Sequence, residues 1–244
     1  METTVWSVLA ACRHAVQAGT ATARPPDDKE FHFQRWVGDR ILEAGFEIPE
    51  GGRNTYPDFA ILGSSEAYEV KGITVGSREN DFDGNSALPS GEHDGLNVLY
   101  LFGRYATQQV VDIVIAHGAF LNAGGGYKAD NKSMRVLGSY GDMLLRDRKM
   151  YVAYTPYRLL TNMRDHCSLV LPEAWPSPPD QSWSSVGSVV RVEHDQVLVG
   201  YTADLAANTL TPEFEHNPHA GRQHRFQIWR LQDDDDGHRV DLAV

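Results

Sequence analysis

The chain has 244 residues, 41% of them hydrophobic and 23% charged, enough to bury one large core or two small ones. It contains no apolar run of about 18 residues, which excludes a transmembrane helix; its two cysteines, Cys12 and Cys167, are too few for a disulfide framework or a cysteine-rich zinc site and suit a reducing cytoplasm. A net charge of −11 excludes a uniformly basic surface for nucleic acid, yet eight Lys and Arg against four Asp between residues 128 and 166 leave that stretch at +4 on an otherwise acidic chain.

Taken from the start, Val5, Leu9 and Val16 share one face of a predicted amphipathic helix opened by Thr3 or Thr4. The Leu9-Ala10-Ala11-Cys12 stretch has the form of a lipoprotein cleavage box, but Glu2 precedes it, no cation does, and the apolar stretch is too short for a signal sequence. A second helix is predicted over about 27–44, capped by Asp27 or Asp28 and ended by Gly45, with Phe33, Val37 and Ile41 on its core face and Glu30 on the same buried side. Gly51-Gly52 marks a turn. The apolar runs 58–62 and 67–73, separated by Gly63-Ser64-Ser65, read as a β-hairpin. Residues 76–95 read as a polar loop long enough to have a function, and 97–105 and 110–116 as strands of a buried sheet.

Farther on, 150–154, 167–171, 188–192 and 197–201 are predicted strands, and 172–179 a proline-rich connection. The segments 226–231 and 238–244 are predicted to pair across a solvated turn at Asp233-Asp234-Asp235-Asp236-Gly237. The expected architecture is α/β in one domain over 1–244: a central mixed β-sheet flanked by helices, with the chemistry at one sheet edge.

The chemistry centres on Pro57-Asp58, ten intervening residues, and Glu69-Val70-Lys71. Side chains alternate along a strand, so Glu69 and Lys71 share a face. Hairpin pairing would bring Asp58 beside Glu69. Two carboxylates and an ammonium are expensive to desolvate unless they serve each other or a cation. Asp58, Glu69 and a backbone carbonyl, with waters, make the oxygen set that Mg²⁺ prefers. Lys71 beside a metal-bound water can orient it, help deprotonate it or neutralise developing charge. A solvated Glu–Lys ion pair is the plain alternative for the same spacing.

With Glu30 on a preceding helix, this pattern resembles the PD-(D/E)xK nuclease superfamily, and within it the type II restriction endonucleases. Asn85-Ser86-Ala87-Leu88-Pro89, the strand at 98–105, Gly138-Ser139-Tyr140-Gly141-Asp142 and the run from Arg146 to Tyr151 add a weaker likeness. The resemblance implies a restriction-endonuclease-like core at about 27–120 and Mg²⁺-dependent hydrolysis of double-stranded DNA to 5′-phosphate ends. It implies a homodimer, and a partner methyltransferase that protects host DNA. By the same resemblance Asp58, Glu69 and the Val70 carbonyl bind metal, Lys71 assists the water, and Glu30 lies near the metal. The segments 76–95 and 128–166 would recognise DNA, with Asn85, Ser86, Arg146, Arg148 and Lys149 as contacts; Arg reads guanine edges bidentately. Alternatives are a repair or structure-specific nuclease on the same core, or a noncatalytic DNA-binding protein.

Other patterns carry less. Asp81, Asp83, Asn85 and Glu92 fall at calcium-loop positions, but Ser86 stands where the loop needs Gly. His216, His219 and His224 match no zinc template, and His32 is expected to pack in the core.

Overall fold

The computed structural model describes residues 3–22, 31–49, 56–84, 88–123, 138–145 and 151–243. Helix α1 (Val5–Gln17) and helix α2 (His32–Glu43) come first, then strands β1 (Phe59–Ala60), β2 (Glu66–Thr74), β3 (Asp81–Gly84), β4 (Glu92–His93), β5 (Leu96–Ala106) and β6 (Gln109–His117). The short helix α3 (Gly118–Leu121), β7 (Leu144–Leu145), β8 (Tyr151–Tyr154), the short helix α4 (Pro156–Leu159) and β9 (Cys167–Pro172) follow. The chain continues through β10 (Trp183–Val192), β11 (Gln196–Asp204), β12 (Thr209–His216) and β13 (Gln223–Leu231).

The fold is α/β around an eight-stranded mixed sheet in the order β1-β2-β5-β6-β9-β13-β10, with β4 folded back on the start of β5. β2 runs parallel to β5 and β6 parallel to β9; the other pairs are antiparallel. β5 and β6 read as nearly unbroken apolar runs because both faces are covered. Leu99, Leu101, Ile113 and Ile115 point toward α1 and α2. Tyr100, Phe102, Val114 and Ala116 point the other way, toward Phe82, Ala153, Tyr157 and Phe120. That second face is covered by a three-stranded sheet, β3-β8-β7, together with α3 and α4. Among the described residues no helix is long and apolar enough to cross a membrane.

α1 starts where expected, but the Thr4 side chain does not cap it. The buried carboxylate of Glu66 on β2 accepts from Thr4 N at 2.9 Å and from its hydroxyl instead. α2 docks through glycine. Gly72 and Gly103 are register partners on β2 and β5. A Cβ on Gly103 would lie 2.1 Å from Phe33 Cζ, and one on Gly72 3.1 Å from Phe33 Cβ. Phe33 thus fills a slot that two paired glycines open in the sheet, which holds α2 against β2.

Several expected boundaries change. Residues 76–95 are not a plain loop: β3 and β4 lie within them, and β3 joins β8. The strand expected at 188–192 is ten residues long, from Trp183, and the one expected at 197–201 is half of a hairpin with β12, which the sequence reading missed. The hairpin expected between 226–231 and 238–244 does not form, because β9 and β10 occupy both edges of β13. Among the described residues the tail pairs through single bridges, Val240 to Gly187 and Leu242 to Leu160. The aspartate run is solvated only in part: Asp233 and Asp236 are exposed, while Asp234 is largely covered. Asp233 pairs with Arg13 at 2.8 Å, and Asp234 accepts from Cys167 N at 2.7 Å and lies 3.3 Å from His166. Both cysteines are free and buried, and His32 packs edge-on against Tyr105.

Candidate active site

β1 is short, and its shortness shapes the site. Phe59 pairs with Tyr68 and Ala60 with Ala67, so the next step of the register sets Asp58 opposite Glu69. The ladder stops there. Asp58 Oδ2 accepts from Val70 N at 2.7 Å, taking the amide that a longer strand would have bonded. Asp58 Oδ1 accepts from Gln34 Nε2, on the first turn of α2, at 3.1 Å.

On the far face of β2, Lys71 Nζ lies 2.6 Å from Glu69 Oε1. Glu69 is 9% exposed, while the Lys71 side chain is 26% exposed. The strand alternation that puts this pair on one face also sends Tyr68 and Val70 into the helix-covered core. Glu69 stands beside Tyr100 in the register, and the Tyr100 hydroxyl meets the Tyr56 hydroxyl at 2.9 Å. Asp58, Glu69 and Lys71 are therefore gathered at one edge of the sheet, around Val70.

The electrostatics follow from that crowding. Burial and then the Glu69 charge push the Asp58 carboxyl up from 3.8 to about 6, against the pull of the Val70 amide and Lys71. Burial also raises the Tyr56 hydroxyl, and the Glu69 charge adds to it. A half-buried Asp58 carboxyl whose ionisation burial and the Glu69 charge disfavour forms a place where a cation is welcome. Among the described residues no three His, Cys, Asp or Glu side chains are arranged to hold a metal ion. The donors present are two carboxylates and a strand carbonyl. This set suits a hard cation that keeps several waters and takes its remaining ligands from substrate, rather than a caged zinc.

Space is available on both sides of Lys71. A cavity of about 240 Å³ lies between α2 and β2, lined by His32, Gln34, Asp58, Lys71 and Tyr105 among others. A second, of about 330 Å³, lies between β2 and β3, lined by Lys71, Ser77, Arg78 and Asp83 among others.

Comparison with protein-family models, with curated proteins and with solved structures finds no match.

Of the residues expected in the site, Asp58, Glu69, Val70 and Lys71 come together. Glu30, Asn85, Ser86, Arg146, Arg148 and Lys149 lie outside the described residues. The two expected recognition segments do meet, since β3 from the first pairs with β8 from the second, next to the larger cavity. Two cations of the basic segment are engaged with protein: Arg158 lies over the Tyr154 ring at 4.2 Å, and Arg164 pairs with Glu79 at 3.1 Å.

Sequence reasoning missed two features. Gln34 carries no charge to attract notice; the available signal was its place one helical turn after Glu30. The other is a buried ion network. Arg104 and Asp112, register partners on β5 and β6, pair with each other. Arg104 also reaches Glu79 at 3.3 Å and Asp165 at 2.8 Å, and Tyr157 donates to Asp112 at 2.8 Å. Burial raises the Asp112 carboxyl, against these partners. The signal there was two opposite charges inside otherwise apolar runs. The network ties residues 79 and 157–165 to the central sheet, and so fixes the wall of the larger cavity.

Proposed function

We propose that this protein is a Mg²⁺-dependent nuclease that hydrolyses phosphodiester bonds in double-stranded DNA, a type II restriction endonuclease leaving 5′-phosphate ends. One observation carries the reading. Asp58, Glu69 and Lys71, fourteen residues from first to last, converge on the edge strand pair around Val70, with Asp58 and Lys71 lining open space and Glu69 paired with Lys71. The likeness of Pro57-Asp58…Glu69-Val70-Lys71 to the PD-(D/E)xK pattern points the same way.

In this reading Asp58 and Glu69 present carboxylate oxygens, and Val70 its carbonyl, to one divalent ion. Bound there, Mg²⁺ supplies Lewis-acid stabilisation of negative charge on the phosphate and lowers the pKa of a water. Lys71 donates from Nζ, orienting the attacking water and neutralising charge that develops on the phosphate oxygens. Glu69 holds the Lys71 ammonium in place through the contact already made. The convergence of β3 and β8 beside the larger cavity gives a rigid platform for the loops that would read bases. The acidic body requires that DNA approach along a restricted basic track. A homodimer would match a palindromic site, with a partner methyltransferase protecting host sites.

The test is digestion of supercoiled plasmid and a sequenced phage DNA with Mg²⁺. Wild-type protein is expected to give discrete fragments with 5′-phosphate termini. Asp58→Ala is expected to give none, while still shifting DNA in a gel. Undiminished cleavage by Asp58→Ala removes the nuclease site; random fragments from wild type remove the restriction reading.

A further inference from the structure

The smaller cavity is lined by an uncharged amide, Gln34, as well as by Asp58 and Lys71. Gln34, on the first turn of α2, donates from Nε2 to Asp58 Oδ1 at 3.1 Å, on the oxygen that Val70 N leaves alone. The backbone that carries this amide is anchored by its neighbour Phe33, seated in the slot between Gly72 and Gly103. Resting on the nuclease reading, we propose that Gln34 is a positioning residue for the ionised Asp58, holding the carboxylate plane in the orientation that binds the divalent ion.

The physical case is one of lone pairs. An ionised carboxylate has about four acceptor positions. Here each oxygen takes one N–H, so each keeps lone-pair capacity for a cation. The terminal torsion of an aspartate is broad and intrinsically soft. Two donors from different elements, one a strand amide and one a helix side chain, pin it from both ends. A neutral amide is the residue type that fits. A Glu at 34 would face an acceptor with an acceptor and add a third negative charge; a Lys would compete with the cation itself. Hydrogen-bond partners behind metal ligands typically set about 10- to 100-fold in metal affinity.

The experiment uses the full chain without DNA and Mn²⁺ as the probe, followed by calorimetry. Gln34→Met keeps the length and packing of the side chain and removes the donor, and far-UV circular dichroism checks that it is folded. Its Mn²⁺ affinity is expected to fall by about 10- to 100-fold, while DNA cleavage at saturating Mn²⁺ recovers to within a few-fold of wild type. Unchanged Mn²⁺ affinity in Gln34→Met overturns the inference. So does cleavage that stays lost at saturating metal, because Gln34 would then touch the reacting atoms. If wild type binds no Mn²⁺, or Asp58→Asn binds it as tightly as wild type, the failure lies in the nuclease reading itself.

Discussion

Asp58→Asn should make the metal-free protein less sensitive to pH. In the native state the Asp58 carboxyl is pushed from 3.8 to about 6, first by burial and then by Glu69. A carboxyl that is weaker in the folded state is stabilising below its unfolded value. That contribution is lost as pH rises through about 6 and stays lost above. A shift of roughly two units corresponds to about 3 kcal/mol at full burial, and solvent at this half-open edge reduces it to about 1–2 kcal/mol. Asparagine leaves one of the donors, Val70 N or Gln34 Nε2, without an oxygen, but it does so equally at both pH values, so this loss drops out of the variant's own pH dependence. Urea unfolding in chelator at pH 4.5 and pH 7.5 therefore isolates the ionisation of Asp58 in wild type, its hydrogen bonds included. Wild type should lose about 1–2 kcal/mol more than Asp58→Asn between these points. Mg²⁺ at ten times its dissociation constant should then return about 1.4 kcal/mol to wild type at pH 7.5 and nothing to the variant. Equal pH dependence in the two proteins would refute the crowding of Asp58 and Glu69. Equal stabilisation by Mg²⁺ would place the ion elsewhere.

Three further outcomes follow from the geometry. Lys71→Met should keep Mn²⁺ binding and lose about 10²- to 10⁴-fold in cleavage rate, measured on plasmid at saturating metal; a normal rate would free Lys71 from any part in the reaction. Gly103→Ala puts a methyl 2.1 Å from Phe33 Cζ, and should destabilise the protein by about 1–3 kcal/mol in urea unfolding, with weaker Mn²⁺ binding because Gln34 moves with α2. Asp112→Ala leaves the buried Arg104 guanidinium with Glu79 and Asp165 as its carboxylate partners among the described residues, and should cost about 3 kcal/mol, the low end of the range for breaking a buried pair.

The parts of this molecule that could be read from its sequence are those in which one strand carries its own information. The period-two placement of Glu69 and Lys71 and the apolar runs of β5 and β6 needed no knowledge of distant partners. The hairpin of 226–231 with 238–244 failed for the opposite reason. Local pattern favoured it, but both edges of β13 are taken by β9 and β10, which lie far off in sequence. β3 was hidden inside a polar stretch because it is four residues long and alternates Asp81 and Asp83 with Phe82 and Gly84, half a pattern until β8 supplies the other edge. Gln34 was hidden because an amide acquires a role only from what stands opposite it. The Arg104–Asp112 pair could have been found, since a lone charge in each of two adjacent apolar strands is explained most simply by their pairing.

A Pro-Asp step before a strand carries chemical information for a physical reason. Continued by two more pairs, β1 would set residue 57 against Val70, and a backbone carbonyl would take the Val70 amide. Proline at 57 brings no N–H with which to extend the ladder. The Val70 amide is instead taken by the Asp58 carboxylate at 2.7 Å. A side chain with charge and spare lone pairs thus stands where a backbone group would have closed the edge. Across from it, β2 continues with no strand partner on that side among the described residues, and presents Glu69 and Lys71 one residue either side of Val70. The pocket is produced by ending one strand early beside another that goes on, and the acidic residue that ends it is the one left facing the opening.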